Sequence, residues 1–108
     1  MRENMKQLMV AVPPTVYSAM VAQAKKENVS VSDLALRTLA EELGVKPQLR
    51  GYPFHASRII GTGTRTYWVS LPLYRKLERR AKEEFRSPPA QFNAVMQKHF
   101  GRKRRVAA

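Results

Sequence analysis

The chain has 108 residues and no cysteine, and carries 20 Lys+Arg against 8 Asp+Glu, a net charge of +12. That length allows one small core, the missing cysteines exclude a disulfide framework and thiol chemistry, and no apolar run approaches the roughly 20 residues of a membrane span. The charge is uneven: residues 1–45 hold five basic and five acidic residues, residues 46–108 fifteen basic and three acidic. A polyanion is therefore the expected partner, nucleic acid before an anionic membrane surface.

In chain order, the first pattern is "QLMVAVP" at 7–13. Leu8, Val10 and Val12 alternate with Gln7, Met9 and Ala11, which predicts a half-buried strand over 7–12. A helix follows, with Thr15 as a cap near its start and Val16, Tyr17, Met20, Val21 and Ala24 on one face. "SVSDLALRTLAEELG" predicts a second helix, capped by Ser30 or Ser32 and closed by Gly44, with Leu34, Leu36, Leu39 and Leu43 as its apolar side. Residues 45–65 hold two prolines and three glycines and read as a connector. "GTGT" within it lacks the spacing and the lysine of a phosphate-cradling loop.

The pattern then repeats. "TYWVSLP" at 66–72 matches 7–13 at an offset of 59, so Tyr67, Val69 and Leu71 face inward and Thr66, Trp68 and Ser70 outward. A helix after Pro72 runs to about Phe85. A fourth starts with Ser87 as cap and Pro88 at the first helical position, with Phe92, Val95, Met96 and Phe100 inside, at an offset of 57 from its counterpart. Lone strands need partners, so 7–12 is expected to pair antiparallel with 66–71. The fold class expected is α+β, mostly α: a two-stranded antiparallel ribbon packed on four helices, an intrachain pseudo-dimer.

The strand–helix–helix order of "LMVAVPPTVYSAMVAQAKKENVSVSDLALRTL" resembles the ribbon-helix-helix family of DNA-binding proteins, the Arc, MetJ and CopG type. The resemblance covers 6–44 well and 66–101 less well, where Pro88 and Pro89 replace polar residues. Two motifs in one chain, followed by a basic tail at 102–108, resemble the tandem arrangement of TraY-type conjugation proteins. The resemblance implies double-stranded DNA as partner, with the ribbon in the major groove. Base contacts would come from Gln7, Met9, Ala11, Thr66, Trp68 and Ser70. Phosphate contacts would come from the starts of the second helices, Ser30, Ser32 and Ser87, joined by Arg65, Arg86, Arg102, Lys103, Arg104 and Arg105. Backbone N–H groups and the helix dipole favour an anion at such starts, and Pro88 and Pro89 remove two donors from one of them.

Plainer roles stand beside these. Ser30, Ser32 and Ser87 are helix caps first, Trp68 packs on Ile59 or Ile60 as readily as it touches DNA, and "RKLERRAK" reads as a solvated helix face. His55 and His99 lack a second ligand nearby in sequence, so no metal or other cofactor is expected, and no nucleophile or acid–base pair marks an enzyme. The expected function is sequence-specific DNA binding, as a transcriptional repressor or an accessory factor for conjugation or a mobile element. The alternatives are a partner-binding protein, an antitoxin or a phage-type inhibitor of a host factor, and a basic RNA-binding protein. Without the apolar core of a signal peptide near its start, the chain is expected in the cytoplasm, on the nucleoid.

Overall fold

The computed structural model describes residues 5–47, 49, 51–54 and 64–101. Among these, the order is β1 (Met5–Ala11), α1 (Pro14–Glu27), α2 (Val31–Leu43), β2 (Thr64–Ser70), α3 (Leu71–Glu83) and α4 (Pro88–Phe100). The protein is α+β and mostly helical, with β1 and β2 forming an antiparallel two-stranded sheet.

Each helix begins where its residues allow. Pro14 opens α1 behind Pro13, so Thr15 lies inside the helix rather than capping it. At this start proline costs little, because its missing N–H would have no intrahelical acceptor. Ser30 caps α2 by accepting a hydrogen bond from the Asp33 N–H at 3.0 Å, which settles the choice between Ser30 and Ser32. Ser87 does the same for α4, accepting from the Ala90 N–H at 3.3 Å. At its other end α2 stops on Gly44, whose φ of 71° is left-handed and suits a residue without a Cβ.

Both strands start two residues before the alternation predicts. Thr64 and Arg65, read as the end of the connector, are strand residues because they pair with Ala11 and Val10. The register centres on Leu8 opposite Tyr67, two residues that the 59-residue offset makes equivalent. Two cation–π contacts respect the same relation. Lys6 Nζ lies 5.6 Å from the Tyr74 ring centroid, and the Arg65 guanidinium 5.3 Å from that of Tyr17. Lys6 and Arg65 are equivalent at offset 59, Tyr17 and Tyr74 at offset 57, so each strand of one half is tied to the first helix of the other.

The inner face of the ribbon (Leu8, Val10, Tyr67 and Val69) is buried against Met20, Leu34, Leu39, Leu73, Leu77, Phe92 and Met96. Side chains of this size each stabilise by about 1.5–3 kcal/mol when fully buried. Tyr67 stacks on Phe92 with centroids 4.8 Å apart. Leu71, expected inward as a strand residue, is half-buried because it already belongs to α3. Helix α2 packs on α4, and Glu42 fastens the two at the surface, bonded to Lys98 at 2.9 Å and His99 at 3.1 Å. Those bonds hold the Glu42 carboxyl below its ordinary range.

Candidate nucleic-acid interface

The ribbon turns one face to the helices and the other outward. Strand parity sets Gln7, Met9 and Ala11 on the outer face, opposite Trp68, Thr66 and Thr64. Gln7, Met9, Ala11, Thr64 and Thr66 are exposed, Met9 to 61%, and Trp68 is half-buried. Five of the six expected base-contacting residues thus share one accessible or partly accessible surface. Ile59 and Ile60, the proposed packing partners of Trp68, lie outside the described residues.

Ser70 is the correction. It is only 6% exposed, at the point where the strand runs without a loop into α3 and Ser70 takes the N-cap position without a side-chain cap bond. The outward parity that holds at Thr66 and Trp68 ends at this junction.

The expected phosphate contacts are scattered. Arg65 stands on the helix-facing side of β2, half-buried over Tyr17, rather than on the outer face. Ser32 and Ser87 are exposed and Ser30 is half-buried, its backbone N–H already donated to the Tyr52 carbonyl at 3.1 Å. Arg86 is exposed and its Nη1 donates to Glu84 Oε1 and Gln91 Oε1, each at 3.1 Å. Arg102, Lys103, Arg104 and Arg105 lie outside the described residues.

Two residues of the ribbon escape the sequence reading. Thr64 extends the outer face by one position; the threonines alternating in "TRTY" were its signal. Lys6 is an exposed cation on the helix-facing side of β1, over Tyr74, and its recurrence as Arg65 at offset 59 marks it. The outer surface thus combines short polar side chains and one exposed thioether, while Lys6 and Arg65 stand on the helix-facing side of the ribbon.

Below it, the hydroxyls of Tyr17 and Tyr67 are buried and find no hydrogen-bond partner among the described residues. Burial pushes the Tyr67 phenol up to about 12 and raises that of Tyr17 as well, with Arg65 opposing both.

Among the described residues, no helix is long and apolar enough to cross a membrane. Compared with protein-family models, curated proteins and solved structures, the chain matches none.

Proposed function

We propose that the chain is a tandem ribbon-helix-helix protein that binds double-stranded DNA by sequence, as a transcriptional repressor or as an accessory factor for conjugation or a mobile element. Its two halves, 6–44 and 66–101, form one pseudo-dimeric unit, and the ribbon enters the major groove. The observation that carries this reading is the two-sidedness of the ribbon. One face buries Leu8, Val10, Tyr67 and Val69 in the core, while the other presents Gln7, Met9, Ala11 and Thr66 to the outside with no helix over them among the described residues.

The major groove, about 12 Å wide, admits a two-stranded ribbon. Glutamine is suited to the N6/N7 edge of adenine, threonine to several base edges, and methionine and alanine to the thymine methyl. The net charge of +12 supplies attraction to phosphate whatever the sequence. The two strands present different residues, so the preferred site is not a palindrome.

Selection from a random duplex library tests this reading. An enriched, asymmetric motif is the expected result. Equal recovery of all sequences would remove the claim of specificity, and preference for single-stranded RNA would favour the RNA-binding alternative.

A further inference from the structure

We propose that residues 51–54 plug the N-terminus of α2, so that the chain grips the DNA backbone on one flank of the ribbon only. The inference rests on the DNA-binding reading above. At issue are the starts of α2 and α4, each of which the ribbon-helix-helix resemblance implies would take a phosphate.

At α2 the place is taken by the chain itself. The Tyr52 carbonyl accepts the Ser30 N–H at 3.1 Å, and the Asp33 carboxylate accepts the Gly51 N–H at 2.8 Å. The Asn28 side-chain oxygen accepts the Phe54 N–H at 3.2 Å, and Phe54 packs against the core. Gly51 has a φ of 78°, a left-handed turn that brings its N–H onto Asp33 without strain. Two N–H groups of the helix start, those of Ser30 and Asp33, are therefore engaged within the chain. Asp33 is itself 3% exposed, so its carboxylate already meets the positive end of the helix dipole. A phosphate there would have to displace this segment and face a carboxylate of its own sign.

The other half differs at every one of these positions but one. The offset of 57 maps Asn28, Val29, Ser30 and Asp33 onto Phe85, Arg86, Ser87 and Ala90. Both acceptors that hold the segment are lost, a cation replaces valine, and Ser87 stays exposed. Phe85 keeps the left-handed backbone of Asn28 (φ of 56° against 54°), but its side chain is 95% exposed where Asn28 holds the connector. One turn is thus built to hold chain, while among the described residues no segment covers the other, where Arg86 is bonded to Glu84 and Gln91. With Pro88 and Pro89 removing donors from α4, contact on the open flank falls to side chains such as Arg86.

Single methylphosphonate substitutions along a selected duplex remove one phosphate charge at a time. Each gripped phosphate that is neutralised should weaken binding at low salt and flatten the slope of log K against log salt by about 0.9, and the sensitive positions should all lie on one flank. A chain carrying Asn28→Gly and Asp33→Ala tests the plug itself. Glycine suits the left-handed backbone at 28, and alanine already stands at the equivalent position of α4. In this variant, sensitive positions of similar size should appear on the silent flank.

Sensitivity on both flanks of the wild type overturns the inference while leaving DNA binding intact. So does a folded variant whose second flank stays silent, which would make missing charge, not the plug, the cause. No sensitivity at any phosphate would remove the DNA-binding reading together with the inference. Should the variant lose its helicity, the wild-type scan decides alone.

Discussion

Tyr67 is fully buried in the core, opposite Leu8 at offset 59 and stacked on Phe92. Its ring is well accommodated and its hydroxyl is not, since no partner meets it among the described residues. An unsatisfied buried hydroxyl costs about 1–3 kcal/mol, so Tyr67→Phe should raise stability at neutral pH by about 1 kcal/mol, read from urea midpoints. The phenol adds a pH dependence. Its pKa is raised by burial from the ordinary 10.0 to about 12 in the folded chain. The unfolded chain therefore loses this proton first as pH rises, and stability that is complete below pH 10 falls as the pH approaches 12. Tyr67→Phe should flatten that fall when unfolding is compared at about pH 8 and about pH 11. An unchanged alkaline slope would mean that other groups, Tyr17 first, dominate it.

Helices and strands show how far the sequence could be read. Hydrophobic period alone located four helices and two strands, because each element buries one face and leaves the other wet. The serine caps were legible for a local reason: a hydroxyl reaches an N–H three residues on. Ser30→Ala and Ser87→Ala should each cost about 1 kcal/mol in thermal or urea unfolding, and a loss below measurement would show that the caps are redundant. Ends that depend on distant partners were not legible. Thr64 and Arg65 look like loop until the hydrogen bonds to Val10 and Ala11 are known. Ser70 keeps strand parity on paper but is buried where the helix begins at Leu71. Docking of 51–54 on Asn28, Ser30 and Asp33 left no periodic trace, because two of those three bonds are donated by the connector's backbone and the third is accepted by it. Of the candidate interface, the outward run Gln7, Met9, Ala11 and Thr66 followed from alternation. The side taken by Arg65, over Tyr17, required the register.

Over the whole molecule, charge and fold are arranged differently. Contacts cross between the strands and the helices in both directions, Lys6 of β1 lying over Tyr74 of α3 and Arg65 of β2 over Tyr17 of α1. The charge is uneven along the chain, with the entire net +12 in residues 46–108. Deleting residues 102–108 should therefore weaken binding to all duplexes alike. If about five phosphates are neutralised by the intact chain, its log K should fall with log salt at a slope near −4.5, and the deletion should flatten that slope. A loss confined to the preferred duplex would mean that the tail reads bases.

If the ribbon's outer face reads DNA, Gln7 and Thr66 are the residues to test, since both are exposed on it and neither belongs to the core. The most direct test is the ratio of affinities for a preferred and a scrambled duplex, measured for the wild type and for a chain carrying Gln7→Ala and Thr66→Ala. Helicity should be checked in both. The ratio should fall by about tenfold or more, with affinity for the scrambled duplex nearly unchanged because no charge is lost. A folded double variant that keeps the wild-type ratio would contradict the reading of DNA by this ribbon.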